Sequence, residues 1–245
     1  MTIALSAATV TVAFVPSPAP AAAAARPTVH QELCGEALPV PPNVPFGNTV
    51  RTSNRFTGSL AVGAVCRSGS RGGWAIDAVL RRNGRSSLFV SPHLLPLTSP
   101  VAVLAVYYFT KRQLPAVLAQ VGFGMTGQPY ELFTFDGDHV VPAQMRFPPN
   151  LGGLAGGGAT LHGQGVFCGQ HDGRLLVIQE DWEIDAPIRW VAYDGGETPA
   201  PTDSVTVSYE RWTLTGQPLR QLAFRSLPPT KTSYKKAQAL ENAHC

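Results

Sequence analysis

This sequence lacks the motifs that mark many hydrolases and nucleotide-binding enzymes. It has no Gly-x-Ser-x-Gly motif, the signature of the strand-to-helix turn that presents a serine nucleophile. The glycine-rich run from 152 to 158 lacks the Lys-Ser/Thr ending of a phosphate-binding loop, and no helical pattern follows it. We interpret that run as a linker. These absences predict that the chain has no catalytic residues and no cofactor.

Charged residues are also few, at 14% of the chain. Lys and Arg number 19 and Asp and Glu 16, which leaves a formal net charge of +3. Most basic residues are single arginines, and the one tight lysine cluster is Lys231, Lys235 and Lys236. Because nucleic-acid binding needs a basic stripe on one face, we expect no nucleic-acid partner.

Cysteine is rare and has no metal-binding arrangement. The sequence contains no Cys-x-x-Cys pair, and His171 with Cys168 supplies only two of the ligands that a zinc site needs. An even number of cysteines in an exported chain is typical of disulfides, and four cysteines allow three pairings. We therefore predict no metal, and the candidate disulfide residues are Cys34, Cys66, Cys168 and Cys245.

A long apolar run lies at the N-terminus. Residues Thr2 to Val15 are uncharged and mostly apolar, but prolines from Pro16 onward end the run before it could span a membrane. A Pro-Ala segment follows, so residues 1–25 are predicted to be a secretory signal peptide cut near Ala25. No Lys or Arg precedes the apolar run, so either the true start lies upstream or the segment is not a signal. We expect a secreted or cell-envelope protein without stable membrane insertion after cleavage.

Short apolar runs followed by hairpin turns recur through residues 56–228. The first strands of three such units start near residues 60, 117 and 175, at intervals of 57 and 58 residues. Their turns are Asn83-Gly84, Asp136-Gly137 and Thr215-Gly216, and Asn-Gly is a strong hairpin signal because both residues tolerate positive φ. This periodicity predicts an all-β fold of three repeated four-stranded units, in a partial propeller-like array or a sandwich. Chance similarity among the hairpins of an ordinary sandwich is the alternative.

The units are completed and bounded by weaker patterns. Residues 101–109 and 165–168 are expected to supply the fourth strands of the first and second units. Residues 26–55 are rich in proline and form a lead-in segment without periodicity. Residues 229–245 are predicted to be a helical tail, with Ser233 capping a short helix.

Aromatic residues are the strongest indication of a binding surface. Trp182, Trp190 and Tyr193 lie in or beside the variable loop between residues 183 and 203. Aromatic side chains left exposed there would stack on sugar rings or anchor a protein partner. The leading hypothesis is therefore an exported, non-enzymatic protein that binds a protein or glycan in the cell envelope.

The competing hypothesis is a secreted hydrolase with an acidic and histidine site. Asp181, Glu183 and Asp185 alternate, so on a strand they would project from one face and serve paired-carboxylate chemistry with His162 or His171. A solvated strand edge explains the same pattern. An enzyme should gather these side chains in one concave pocket, whereas a binding protein should disperse them and expose an aromatic patch.

The repeat pattern resembles that of exported actinobacterial proteins with FG-GAP/VCBS-type repeats. The resemblance covers residues 56–224, and its loop positions are Thr57-Gly58, Thr110-Lys111 and Asp172-Gly173. It implies a β-repeat architecture whose loops bind calcium through acidic residues. This chain departs from the pattern, because only Asp172 keeps an acidic side chain in those loops and Lys111 is followed by Arg112.

We therefore predict that these loops do not bind calcium tightly, because calcium needs six to eight oxygen ligands, usually with several carboxylates. Isothermal titration of the purified protein with calcium chloride tests this. We expect no saturable heat, and a micromolar site would contradict the prediction.

Overall fold

Strands make up most of the residues that the structure describes. The computed structural model describes residues 47–67, 72–96, 101–122, 127–149, 151–193, 196–241 and 243–245. The predicted signal peptide, most of the lead-in segment and Cys34 lie outside these residues. Within them, no helix has the length and apolar character needed to cross a bilayer.

The first four strands form an antiparallel meander in which neighbours in sequence are neighbours in space. They are β1 (Thr49–Asn54), β2 (Gly58–Arg67), β3 (Gly73–Arg82) and β4 (Arg85–Phe89). The expected Asn83-Gly84 hairpin turn is confirmed, with φ of 51° and 74°. Along β2, Leu60 and Val62 are fully buried, whereas Ala61 between them is half-buried and lies on the opposite face.

The next four strands form a second meander. They are β5 (Ala102–Tyr107), β6 (Ala116–Gln120), β7 (Gln128–Asp136) and β8 (His139–Pro142). Every residue of β6 is buried because both of its faces are covered. Val117 and Ala119 pack against the first meander, and Ala116 and Leu118 pack in a second core on the opposite face.

The remaining strands build a third meander and a small hairpin inserted into it. In chain order they are β9 (Leu154–Ala159), β10 (His162–His171), β11 (Arg174–Ile184), β12 (Trp190–Tyr193), β13 (Gly196–Pro199), β14 (Ser204–Thr215) and β15 (Arg220–Ser233). The pair β12–β13 is the separate hairpin. Strands β10, β11, β14 and β15 pair in that order and form a third layer. This layer shares the second core with the second meander, which lies in the middle of the three and is called the middle meander below.

The glycine-rich run interpreted as a linker is in fact strand β9. It pairs with β7 at one end and with β10 at the other, so the second and third meanders form one continuous sheet. Glycine suits this close approach, because the Tyr130 ring occupies the space that a β-carbon on Gly156 would need. The linker interpretation is therefore wrong.

The all-β prediction with a short C-terminal helix is confirmed for the residues that the structure describes. The interval also holds, since β2, β6 and β11 begin at Gly58, Ala116 and Arg174. However, each observed meander begins one strand earlier in the sequence than the corresponding predicted unit. β5 and β10 begin the second and third meanders rather than ending the first and second, and β1 comes from the lead-in segment.

The tail is less helical than predicted. β15 continues through Pro228 and Pro229 to Ser233, and only Tyr234–Gln238 form a helix, α1. Ser233 occupies the N-cap position without a side-chain capping bond. After α1, strand β16 (Ala243–His244) pairs in parallel with β10.

A disulfide joins the chain end to the third meander. It links Cys168 and Cys245 with an S–S distance of 2.01 Å, so the disulfide prediction is confirmed for this pair. Cys66 is disulfide-bonded as well. The segment between α1 and β16 presses closely on β10, because a β-carbon on Gly165 would collide with the Leu240 carbonyl.

Gly165→Ala is expected to destabilise the protein by about 1–3 kcal/mol, since either β10 or the C-terminal segment must shift. The matched control is Gly169→Ala on the same strand, where the new methyl would make an ordinary contact 3.8 Å from Leu176 Cβ. Urea unfolding followed by tryptophan fluorescence measures both variants. Equal stability of the two variants would contradict this account of the C-terminal segment.

Glu180 lies opposite Gly165, and its Oε2 is buried without a hydrogen-bond partner. Burial raises the pKa of its carboxyl to about 7. A carboxyl whose pKa is raised on folding favours the folded state below its unfolded pKa of about 4.5, and that contribution disappears as the pH rises through about 7.

Glu180→Gln should therefore gain stability relative to the parent protein between pH 4.5 and 8. Solvent screening reduces the effect of a partly exposed carboxyl, so we expect a relative gain of about 1–2 kcal/mol across that range. Denaturant unfolding of both proteins at a series of pH values measures it. A difference that stays constant with pH would show that Glu180 ionises normally in the folded protein.

Candidate functional site

A concave pocket lies on one face of strands β10, β11 and β14, with a volume of about 350 Å³. The strand register places Asp181 opposite both Gln164 and Ser208, and Glu183 opposite both His162 and Thr206. Directly opposed residues project from the same face of an antiparallel sheet. The side chains on this face, which we call the acidic pocket, are His162, Gln164, Asp181, Glu183, Thr206, Ser208 and Glu210.

The acidic pocket is open because β11 changes the face that it buries. Leu175 and Val177 pack against the middle meander, whereas Trp182 and Ile184 pack on the opposite face, towards α1. Beyond Gln179, the face that began in the core is therefore left uncovered. Leu151 lines the pocket along with these strands.

Negative charge dominates the acidic pocket. The Asp181 carboxylate accepts hydrogen bonds from Gln164 Nε2 at 2.7 Å and Gln179 Nε2 at 3.5 Å. Burial raises the pKa of Asp181 and neighbouring Glu210 raises it further, which outweighs the lowering by the two amide hydrogen bonds. Asp181 thus holds its proton to a higher pH than an ordinary aspartate.

The other residues of the hydrolase hypothesis lie elsewhere. Asp185 accepts hydrogen bonds from Lys231 Nζ, Ser204 Oγ and Thr206 Oγ1, each at 2.6 Å. These bonds lower the pKa of Asp185 to about 2 and tie the end of β11 to β14 and β15. His171 is the last residue of β10, beside Asp172 in the β10–β11 turn. The structure therefore brings together His162, Asp181 and Glu183, but neither Asp185 nor His171 lines the pocket.

The three aromatic candidates divide into two groups. Trp190 and Tyr193 on β12 are 48% and 73% exposed, as a stacking surface requires. Trp182 is only 2% exposed, with its ring edge-on to Tyr234 at 5.8 Å and packed on Gly163. Its indole is therefore mostly part of the core beneath α1, although Trp182 is also among the residues that line the acidic pocket, and its role in binding stays a prediction.

The hairpin that carries Trp190 and Tyr193 is firmly anchored at its base. Arg189 donates from its backbone N–H and from Nε to the Asp203 carboxylate, at 2.9 and 2.8 Å. Burial raises the pKa of Asp203, but the hydrogen bonds and charge of Arg189 outweigh it and hold that pKa below its usual value. The hairpin emerges from the same ends of β11 and β14 that carry Glu183 and Thr206.

Sequence reasoning named His162 on β10 but missed Gln164 on the same strand and every pocket residue on β14. Thr206, Ser208 and Glu210 alternate along β14, which is the available signal for a shared polar face. Among the residues that the structure describes, no group of three or more His, Cys, Asp or Glu side chains is arranged to hold a metal ion.

Comparison with protein-family models, curated proteins and solved structures finds no match to this chain. The FG-GAP/VCBS-type resemblance accordingly stays a prediction, and the geometry of the acidic pocket and its adjoining hairpin carries the functional argument.

Proposed function

We propose that this is an exported, non-enzymatic β-repeat protein that binds a glycan of the cell envelope through the acidic pocket and the β12–β13 hairpin. One observation carries the proposal: a concave polar face adjoins an anchored hairpin with two exposed aromatic rings. A protein partner is the second kind of ligand that such a surface fits.

The chemistry of the acidic pocket favours a sugar. Carboxylates, amides and hydroxyls satisfy the many hydroxyl groups of a sugar, and aromatic rings stack on its apolar faces. The pocket volume of about 350 Å³ lies within the range of small-ligand sites. Because Asp181, Glu183 and Glu210 would repel an anionic sugar, the expected ligand is neutral or carries amino groups.

Export is supported by the covalent chemistry of the chain. Disulfides persist in oxidising compartments, so the Cys168–Cys245 bond fits a location outside the cytoplasm. The predicted signal peptide adds to this argument from the sequence alone.

A secreted glycan hydrolase is the alternative, because His162, Asp181 and Glu183 share one pocket. Asp181, with its raised pKa, would act as the acid and Glu183 as the second carboxyl group. A ligand that is bound and then cleaved would distinguish this function from binding alone.

We expect glucosamine oligosaccharides to bind more tightly than their N-acetylated counterparts, because only the former carry the positive charge that the carboxylates attract. Glu183→Gln should weaken glucosamine binding roughly tenfold, as expected for a lost charge-assisted hydrogen bond. Isothermal titration calorimetry of the purified protein measures both affinities.

The matched control is Asp138→Asn, an equal charge change at an exposed carboxylate in the turn between β7 and β8, outside both the acidic pocket and the β12–β13 hairpin, and it should keep parent affinity. If the hairpin stacks on the ligand, Trp190→Ala should weaken the binding of both oligosaccharides. Release of new reducing ends during incubation would establish the hydrolase instead. Absence of binding to both oligosaccharides would contradict this ligand class.

A further inference from the structure

A second groove lies on the outer face of the first meander, on the side away from its core. It has a volume of about 390 Å³. Most of its floor consists of small or short side chains, namely Ala61, Gly63, Val65 and Val79, and Asp77 and Leu88 also line the groove. Arg51 and Arg81 line it from the strands on either side of β2, and Thr49 and Ser59 add hydroxyl groups. We call this surface the arginine groove.

The first meander carries a large excess of positive charge. Its described residues include six arginines and a single acidic residue, Asp77. Asp77 is already engaged, because its carboxylate accepts hydrogen bonds from Arg67 Nη2 at 2.7 and 2.9 Å and from the Ser91 N–H. Among the ion pairs between described residues, none involves Arg51 or Arg81. Both guanidinium groups are therefore available to an anion.

The register sets the spacing of these two groups. Arg51 lies opposite Ala61, and Arg81 lies opposite Ser59, so the two arginines are separated by two strand spacings and two residues. That corresponds to about 12 Å between their α-carbons. Because the residues between them are small, an extended chain can lie on β2 and present acidic groups to an arginine on each side.

We propose that the arginine groove binds an anionic polysaccharide, with Arg51 and Arg81 each donating hydrogen bonds to a carboxylate or phosphate group. Arginine forms paired hydrogen bonds to both kinds of oxyanion. Among the described residues that line the groove, none is an aromatic side chain on which nucleic-acid bases could stack, which favours a glycan over a single-stranded nucleic acid. The site is distinct from the acidic pocket, whose charge is of the opposite sign, and does not depend on it.

The test measures binding of the full-length protein to immobilised polygalacturonate, whose charges are carboxylates, and to phosphomannan, whose charges are phosphates. Dextran is the neutral control, and a single-stranded DNA oligonucleotide tests the other polyanion class. We expect binding to one or both acidic glycans, no binding to dextran, and an affinity that falls as salt is added. Tighter binding of polygalacturonate would identify a carboxylate as the preferred group, and tighter binding of phosphomannan would identify a phosphate.

Arg51→Ala combined with Arg81→Ala should reduce affinity by roughly tenfold or more, because two charge-assisted contacts are lost. The matched control combines Arg82→Ala with Arg85→Ala, which removes the same charge from the opposite face of the same sheet. This control should change affinity less than about twofold, because its guanidinium groups do not face the groove. Arg51→Lys with Arg81→Lys keeps the charge and should recover only part of the affinity.

Three results would overturn the proposal. They are failure of both acidic glycans to bind, equal losses in the groove variant and its control, and tighter binding of the oligonucleotide than of either glycan. Since the acidic pocket keeps its own side chains in all of these variants, glucosamine binding there should be unchanged. The two proposals therefore succeed or fail separately.

Discussion

Burial of both faces of the middle meander holds the layers of this protein together. On β6, Val117 and Leu118 point in opposite directions, and each is removed from water by a different neighbouring layer. A strand buried in this way cannot alternate apolar and polar residues, which is why β6 reads as a continuous apolar run. The first and third meanders can therefore tolerate polar outer surfaces, because the apolar contacts that fix them lie on their inner sides.

Because the apolar contacts lie on the inner sides, the outer surfaces of the first and third meanders can carry opposite charges. The first meander presents unpaired arginines above a floor of small residues, and the third gathers Asp181, Glu183 and Glu210 on one open face. Both surfaces are assembled from residues of three adjacent strands, and the register between those strands decides which side chains meet. The aromatic hairpin adds a third element, which is fixed to its layer by the buried Asp203 carboxylate.

The sequence predicted what local patterns determine and missed what strand register determines. The Asn83-Gly84 turn and the interval near 58 residues were predictable, because turn chemistry and apolar periodicity are local. The phase of the units was not, since β1 lies in a proline-rich segment without an apolar pattern. Exposure of Trp190 and burial of Trp182 could not be separated either, because the buried face of β11 changes only where α1 covers it. Likewise, Arg51 and Arg81 are 30 positions apart in the sequence, and only the pairing of β1 and β3 with β2 places them on one surface.

The change of buried face along β11 gives the third meander two cores that share no side chain. The larger core joins it to the middle meander, and the smaller one holds Trp182, Ile184, Val205, Val207, Tyr234 and Ala237 under α1. Because local opening costs less free energy where fewer apolar contacts must be broken, the smaller core can open while the larger stays closed. We therefore expect the two cores to open separately within a single sheet, with Trp182 in the smaller core and Trp212 in the larger one as natural fluorescent probes.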